Sequence, residues 1–326
     1  MSENNQLRWA VLGTGVIANQ MAQALQSMGR ALDAVGNRTY DKAVAFAGKY
    51  GVPKVYADYN EMFTDPEIDV IYITTPHNTH MAFLEKALSQ GKHVLCEKSI
   101  TLNSGELDRA VSLARENGVV LAEAMTIYHM PLYRELRKRV ASGALGRVNL
   151  IQLNFGSCKV YDMNNRFFNP KLAGGAMLDI GVYALSLARL FLDSNPDQVS
   201  SFVRKAPTGV DESAAVAMTN REGQLVTAAL SLRSKQPKRA VISCEKGYIE
   251  IMEYPRADEA VIVDAETGGR ETVRAGRAAD ALRYELEDME QAIRTGGDML
   301  LSCTTDVMAL MTRLRREWGV IYPEEM

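Results

Sequence analysis

The chain has 326 residues and a formal net charge of −3, from 37 Lys and Arg against 40 Asp and Glu. This length predicts two domains or three, and the near-balance of charge argues against a nucleic-acid-binding surface. Hydrophobic residues at 47% and charged residues at 24% are typical of a globular chain and argue against disorder.

The first third alternates short apolar strands with helical patterns, and most of these helical patterns end at a glycine. The predicted strands are Leu7–Leu12, Ala31–Val35, Val70–Thr74, His93–Cys96 and Val119–Ala122. The predicted helices are Val16–Met28, Tyr40–Tyr50, Asn78–Gln90 and Asn103–Asn117, the last with Asn103 as N-cap and Glu106 as its capping partner. This alternation predicts an α/β domain, residues 1–124, with a doubly wound parallel sheet.

The pattern changes after Glu123, and residues 125–326 predict a second domain. Arg147–Phe155 and several runs between Val199 and Val273 alternate with period two, which indicates a large, mostly antiparallel sheet. The predicted helices of this part are Pro131–Ala141, Gly175–Leu192, Ala281–Arg294 and Thr304–Trp318. We therefore expect a C-terminal α+β domain.

A glycine-rich segment follows the first predicted strand and opens the first predicted helix. It reads Gly13-Thr14-Gly15-Val16-Ile17-Ala18, a GxGxxA pattern in the strand–loop–helix context of Rossmann dinucleotide-binding folds. The first glycine permits a tight turn, the second lets a pyrophosphate approach the backbone, and a small third residue lets the helix pack on the strand. We predict a nicotinamide dinucleotide site here; the alternative is a tight turn that binds nothing.

The end of the second predicted strand bears on the choice of cofactor. An acidic residue there would bind the ribose hydroxyls of NAD, but the sequence reads Gly36-Asn37-Arg38-Thr39. An arginine suits the geometry of a 2′-phosphate. We therefore predict NADP held by Asn37 and Arg38, with NAD possible; the alternative is a solvated Arg38 with Asn37 on the ribose.

Three further polar segments stand where the strand ends are expected to converge. They are Thr74–His80 (TTPHNTH), Cys96–Ser99 (CEKS) and Gly174–Tyr183 (GGAMLDIGVY). With the glycine-rich segment, they resemble the motifs of the Gfo/Idh/MocA oxidoreductase family, TP-x-x-x-H, EKP and GG-x-x-x-D-x-G-x-H, in the same order and over essentially the whole chain. Tyr183 stands where many members have His, which is similar to the dihydrodiol/xylose dehydrogenase and glucose–fructose oxidoreductase branch.

The resemblance implies an NAD(P)-dependent dehydrogenase or reductase that transfers a hydride between the nicotinamide and a secondary alcohol or carbonyl. The substrate implied is a sugar, a polyol or a dihydrodiol-like compound. The resemblance also implies that Lys98 is the catalytic lysine, that Tyr183 is the acid/base and that Asp179 orients the substrate. The remaining residues that it places near the cofactor are Thr75, Pro76, His77, Asn78, His80 and Glu97.

The residues themselves are compatible with these roles. Lys98 follows a parallel strand at its carboxyl end, which is the ligand-binding edge of such sheets. Asp179 and Tyr183 are four residues apart, so on a helix they share one face. The structural alternatives are a surface lysine beside Glu97 and a core tyrosine at position 183. One residue departs from the family pattern, because Ser99 stands where a proline would fix the backbone after the lysine.

Three alternatives stand beside the leading function: a metal site, a non-catalytic regulatory protein, and the same scaffold with a tightly held cofactor. The lack of an export signal and of a long N-terminal arm argues against the last. His77 and His80 form an HxxH pair, but no second ligand pair stands at a familiar zinc spacing, so we predict no metal. A non-catalytic nucleotide- or sugar-sensing regulatory protein on the same fold is the second alternative. Retention of Lys98, Asp179 and Tyr183 argues against that second alternative.

Association through the second domain is a further expectation. Val226, Ala228 and Leu230 alternate with small residues, so the predicted sheet is apolar on both faces. The helix from Gly175 covers one face, and we expect the other face to form a homodimer or homotetramer interface. We predict that a charge introduced at Ala228 or Leu230 disrupts this interface. The alternative is that the two C-terminal helices cover it.

Cysteine use and the N-terminus bear on location. The four cysteines form no CxxC pair, which favours a reducing compartment. Met1 to Arg8 lacks the apolar core of a signal peptide, and we find no apolar run of about 18 residues, the length of a membrane span. We expect a cytoplasmic protein with a small-molecule substrate and neither nucleic-acid nor membrane partners.

Overall fold

The computed structural model describes residues 6–326. Residues 1–5, which belong to the polar stretch considered for a signal peptide, lie outside the described part of the chain. Two units emerge from the contacts along the backbone. The first unit ends at Ala124 and also contains Leu282–Leu301, and the second comprises Met125–Ala281 and Ser302–Met326.

The first unit contains a six-stranded parallel sheet. Its strands are β1 (Trp9–Leu12), β2 (Ala34–Gly36), β3 (Lys54–Tyr56), β4 (Val70–Ile73), β5 (His93–Glu97) and β6 (Leu121–Ala124). Their order is β3-β2-β1-β4-β5-β6, and every neighbouring pair is parallel. The strand order reverses between β1 and β4, and ligands of such sheets bind at the carboxyl ends beside this point. The predicted doubly wound sheet is confirmed.

The helices up to Ala124 follow the sequence pattern with one addition. They are α1 (Val16–Ser27), α2 (Tyr40–Tyr50), α3 (Tyr59–Thr64), α4 (His80–Ser89) and α5 (Ser104–Glu116). The cap of α5 forms as predicted, because the Asn103 side chain accepts the Glu106 N–H at 3.0 Å. Neither β3 nor α3 is predicted from the sequence, since three and six residues are too few to establish a periodic pattern.

The second unit is built on an eight-stranded mixed sheet. Its strands are β7 (Val148–Gly156), β8 (Gln198–Lys205), β9 (Asp211–Thr219), β10 (Leu225–Ser231), β11 (Gln236–Cys244), β12 (Gly247–Met252), β13 (Glu259–Asp264) and β14 (Arg270–Arg274). The order is β14-β13-β12-β11-β7-β10-β9-β8. Only the pairing of β10 with β7 is parallel within this sheet, which confirms the mostly antiparallel prediction.

The remaining helices of the chain are α6 (Thr126–His129), α7 (Pro131–Ala141), α8 (Val182–Phe191), α9 (Ala281–Thr295) and α10 (Leu301–Glu317). In the second unit, α8 packs against β7 and β10. The apolar segment Pro170–Phe191 ends with α8. Its length and composition would allow it to cross a membrane, which was not predicted from the sequence. However, 83% of its most apolar window is buried within the fold, as in a core helix.

Helix α9 belongs to the first unit, whereas the predicted boundary at residue 124 leaves it with the second domain. Its Leu286 and Met289 are buried in the same core as Trp9. The Trp9 indole N–H donates to Glu290 Oε1 at 3.0 Å, and Arg30 pairs with the same oxygen at 2.6 Å. A nearly buried carboxylate with these partners fixes α9 on the parallel sheet.

The two faces of the large sheet differ in exposure, which corrects one part of the interface prediction. Val226, Ala228 and Leu230 are all buried, so they lie on the inner face toward α8. The outer face carries the alternate residues Leu225 and Thr227, both exposed. Other exposed positions of that face are Ser200, Phe202, Ala215 and Ala217.

Candidate functional site

The glycine-rich loop between β1 and α1 is shaped by close backbone contacts. The Gly13 N–H donates to the Gly36 carbonyl at 2.8 Å. Gly13 has a φ of +109°, and a Cβ there would lie 2.5 Å from Thr74 Oγ1. Both the backbone conformation and the available space therefore require glycine at this position.

The start of α1 is open, which fits a dinucleotide pyrophosphate. Gly15 is the N-cap, no side chain caps the first amides, and the first turn holds no acidic residue. A Cβ added at Gly15 would meet nothing within 4 Å, and Val16 is 74% exposed. Uncapped amides at the positive end of a helix form an anion site, so Gly13 to Ile17 would hold the pyrophosphate of NAD(P).

Asn19, in the first turn of α1, stabilises this loop by hydrogen bonds to its backbone. The residue was not predicted from the sequence. Its Nδ2 donates to the carbonyls of Thr14 at 3.2 Å and Gly15 at 2.8 Å. Its Oδ1 accepts from Lys49 at 2.9 Å and from the Tyr50 hydroxyl at 2.8 Å. An asparagine just after a glycine fingerprint is the only sequence signal for this role.

The end of β2 carries the residues predicted to select the cofactor. Arg38 is exposed there, and the Asn37 side chain donates to the Thr39 carbonyl at 3.0 Å. No carboxylate stands among Gly36–Thr39. A cation without an acidic neighbour in this segment fits a ribose bearing a 2′-phosphate.

The ends of β4 and β5 come together through histidines and backbone carbonyls. His77 Nε2 lies 2.9 Å from the Lys98 carbonyl oxygen, so this contact holds the backbone that presents the partly buried Lys98 side chain. The Lys98–Ser99 peptide bond is cis. Glu97 accepts a hydrogen bond from the buried Tyr72 hydroxyl.

His80 is a supporting residue rather than the predicted cofactor contact. It is fully buried, and therefore has no surface to offer a ligand. Its Nδ1 lies 3.0 Å from the Ser99 carbonyl, and its Nε2 lies 2.8 Å from the Thr75 carbonyl. Burial lowers the pKa of His80 more than the hydrogen bonds to the backbone carbonyls raise it.

The remaining predicted residues of this segment, Thr75, Pro76 and Asn78, lie beside His77 at the start of α4. The Thr79 hydroxyl donates to the Pro76 carbonyl at 2.7 Å, and Thr79 Oγ1 also lies 2.8 Å from Thr75 Oγ1. The buried carboxylate of Glu123 accepts the Ile100 N–H at 3.1 Å. Among residues 6–326, no group of three or more His, Cys, Asp or Glu is placed to hold a metal ion.

In the second unit, Asp179 and Tyr183 lie at the start of the core helix. Met177–Gly181 is a π-helical turn that leads into α8, whereas the sequence predicts a regular helix from Gly175. Turns of this kind are frequent at functional sites. Asp179 and Tyr183 both remain partly exposed, while most other residues of this stretch are buried.

The surroundings of these two side chains combine charge with aromatic surface. Asp179 Oδ1 lies 3.7 Å from a guanidinium nitrogen of Arg166. The Tyr183 ring lies 6.0 Å from that of Phe155 between centroids, and Phe155 also contacts the buried Tyr254. Such a site offers a carboxylate for hydroxyl groups, a phenol for proton transfer and an apolar wall.

Two family models match the chain. Residues 7–125 match the Gfo/Idh/MocA oxidoreductase family with an NAD-binding Rossmann fold. Residues 133–250 match the Gfo/Idh/MocA C-terminal domain.

Curated relatives match over most of their length. Trans-1,2-dihydrobenzene-1,2-diol dehydrogenase of Xenopus laevis is 29% identical over 330 residues, which cover 97% of this chain and 99% of the relative. The Bos taurus enzyme of the same name is 30% identical over 264 residues, covering 80% and 78%.

Solved structures share the fold. KijD10, a 3-ketoreductase from Actinomadura kijaniata in complex with NADP and TDP-benzene, has a TM-score of 0.86 at 22% identity, covering 96% of this chain and 98% of its own. Levoglucosan dehydrogenase in complex with NADH and levoglucosan also has a TM-score of 0.86, at 20% identity, covering 96% and 97%. With both domains matched in order, the chain belongs to the Gfo/Idh/MocA family and is an NAD(P)-dependent oxidoreductase that acts on CH–OH groups.

Proposed function

We propose that the enzyme oxidises a secondary alcohol of a sugar, polyol or dihydrodiol-like compound, or reduces the matching carbonyl, with Lys98, Tyr183 and Asp179 as its working groups. Bound NAD(P) accepts or supplies the hydride. The diol dehydrogenases at 28 to 30% identity support a substrate with neighbouring hydroxyls. The observation that carries the proposal is the pair Asp179 and Tyr183, which are four residues apart and both partly exposed, with the Tyr183 ring beside Phe155.

The protein's own groups handle the proton. In oxidation, the Tyr183 phenolate oxygen accepts the proton of the substrate hydroxyl as the hydride leaves the substrate carbon, and in reduction the Tyr183 phenol donates that proton to the new alkoxide. The Lys98 ammonium stabilises the negative charge that develops on that oxygen. The Asp179 carboxylate accepts hydrogen bonds from substrate hydroxyls and thereby fixes which carbon reacts.

NADP is the proposed preferred cofactor. The exposed Arg38 and the lack of an acid in Gly36–Thr39 support it, because guanidinium forms paired hydrogen bonds with phosphate. NAD remains the alternative cofactor.

A homodimer or homotetramer through the outer face of the large sheet is also proposed, in the cytoplasm. The outer face carries Ala215 and Ala217 on β9 and Phe202 on β8, the last 83% exposed. Large exposed apolar surfaces usually mark interfaces. On the inner side, the Trp318 N–H at the end of α10 donates to Ser201 Oγ at 2.9 Å, so α10 does not cover the side of β8 that carries Phe202.

The function is tested with a panel of aldoses, inositols, dihydrodiols and dicarbonyls, each assayed by nicotinamide absorbance with NADP and NAD. Turnover of at least one class, lost in Tyr183→Phe, is the expected result. Tight cofactor binding without turnover of any class would instead favour a sensor protein.

A further inference from the structure

A buried carboxylate anchors the turn that carries Asp179. Asp211 is the first residue of β9 and is fully buried. Its Oδ2 accepts the backbone N–H of Met177 at 2.6 Å. Met177 opens the π-helical turn and lies two residues before Asp179, so this charge-assisted hydrogen bond acts directly on the backbone of the site.

A glycine allows the carboxylate to approach so closely. Gly175 has a φ of +133°, and a Cβ there would lie 2.3 Å from Asp211 Oδ1. Any side chain at Gly175 would therefore displace either the turn or the carboxylate. The first glycine of the GG pair is also held, because the Gly174 carbonyl accepts a hydrogen bond from the Tyr322 hydroxyl at 2.7 Å.

The C-terminal segment that supplies Tyr322 is itself fixed. The Tyr322 N–H donates to Glu325 Oε2 at 3.0 Å. Arg315, also buried, donates to the two Glu325 oxygens at 2.9 and 3.0 Å and lies 4.6 Å from the Tyr322 ring centroid. Tyr322 thus reaches Gly174 from a rigid support.

The buried carboxyl group of Asp211 reduces the stability of the fold. Burial raises its pKa to about 7, more than the backbone hydrogen bonds and Arg315 lower it. Its Oδ1 has no hydrogen-bond partner among residues 6–326. A buried oxygen left unsatisfied reduces stability, and positions that break a local rule of this kind are expected at functional sites.

We propose that Asp211 is a positioning residue for Asp179, which holds the Gly174–Asp179 turn in its working geometry with the help of Tyr322. The inference rests on the proposed role of Asp179 in catalysis. It assigns a function to the buried end of β9 and to the C-terminal segment, neither of which carries a substrate-binding group in the proposed mechanism.

The test compares Asp211→Ala, Asp211→Asn and Tyr322→Phe with the wild type. In Asp211→Ala, kcat is expected to fall about 10²-fold, since misplacing a reacting group by about 1 Å costs that much, while KM for NADP(H) stays unchanged. Asp211→Asn keeps an oxygen acceptor for Met177 and is expected to restore most of kcat. Tyr322→Phe removes a single hydrogen bond, so the proposal can still be tested with this variant if Asp211→Ala does not fold.

Hydrogen exchange of the amides of residues 174–181 gives a second readout that needs no substrate. Faster exchange is expected in Asp211→Ala and Tyr322→Phe, but not in the control Asp258→Ala, which removes a similar contact to the Ala278 N–H at 2.7 Å. Unchanged exchange and kcat in both variants would overturn the inference, as would equal losses in Asp211→Ala and Asp211→Asn. If the wild type turns over no substrate, the proposed function fails while the exchange data still decide the anchoring role.

Discussion

We propose that single side chains decide cofactor choice and proton transfer. Arg38 and Lys98 follow predicted strands, and Tyr183 lies at the predicted spacing from Asp179. Asp211 is different, because it acts on the backbone of another segment. Nothing in its local sequence shows which amide it will meet.

Replacing Arg38 with alanine should reduce the preference for NADP. The loss of charge-assisted hydrogen bonds to a phosphate lowers kcat/KM for NADP by about tenfold or more, with little change for NAD. Steady-state kinetics with both cofactors measure the ratio, and Arg137→Ala, an exposed arginine on α7, is the control. A wild type that uses NAD as well as NADP would contradict the prediction.

Removing the proton-transfer groups should abolish turnover while sparing cofactor binding. Tyr183→Phe and Lys98→Met are each expected to reduce kcat by about 10²-fold or more, whereas the affinity for NADPH, measured by fluorescence titration, is retained. Tyr248→Phe on β12 is the matched control. Near-wild-type turnover in Tyr183→Phe would exclude the acid/base role.

The buried carboxyl of Asp211 predicts a pH dependence of stability. Its folded-state pKa of about 7 lies above the value of about 3.9 in an unfolded chain. The folded protein therefore binds the extra proton between these pH values, and this contribution to stability is lost as pH rises through 7. The free energy of unfolding, measured with urea at pH 5 and pH 8, should decrease less between these pH values in Asp211→Asn than in the wild type. Equal decreases in the two proteins would contradict the raised pKa of Asp211.

At the scale of elements, a helix could be predicted where its own sequence has an amphipathic pattern and a terminating residue. Short helices, and turns that depend on contacts with distant residues, could not be predicted. Tyr40–Tyr50 is reproduced with its predicted bounds, because an amphipathic pattern ends there at a glycine. The π-helical turn at Met177–Gly181 depends on Asp211 of a distant strand, so the local sequence reads as ordinary helix. The surroundings of His80 also could not be predicted from its own segment, since the Ser99 and Ile100 carbonyls beside its Nδ1 lie 19 and 20 residues further along the chain.

The glycine-rich loop should tolerate no Cβ at its first glycine. Gly13→Ala combines a positive φ with a contact of 2.5 Å to Thr74 Oγ1, and is expected to weaken NADPH binding and lower the melting temperature. Gly91→Ala isolates the backbone strain, because its φ is +69° and nothing lies within 4 Å of its Cβ. Gly91→Ala should lower the free energy of unfolding by only about 1–2 kcal/mol and leave the affinity for NADPH unchanged. Equal affinities in both variants would argue against the close-contact explanation.

At the scale of the whole molecule, the sequence predicts the two sheets correctly but not which alternate residues of β10 face outward. Period-two alternation defines two faces without saying which one a helix covers. Ala228 and Leu230 were therefore unsuitable sites for testing the interface. Exposed Ala217, which pairs with Ser200 and Thr227 across the outer face, is the appropriate one.

A charge at Ala217 should separate the proposed assembly. Ala217→Glu would bury a carboxylate in an apolar interface and is expected to shift the protein to the mass of one chain in light scattering coupled to size exclusion. Ala141→Glu, at an exposed end of α7, should leave the mass unchanged. A wild type that already has the mass of one chain at micromolar concentration would refute the association.

The return of Leu282–Leu301 to the first unit has a consequence for biosynthesis. The core around Trp9 includes Leu286 and Met289, so its apolar surface stays incomplete until those residues have been translated. The cofactor-binding unit begins at the start of the chain yet cannot finish folding on the ribosome before most of the second unit has emerged. A fragment that stops at Ala124 should consequently expose apolar surface and depend on chaperones, whereas adding residues 282–301 in trans should restore a soluble, NADPH-binding unit.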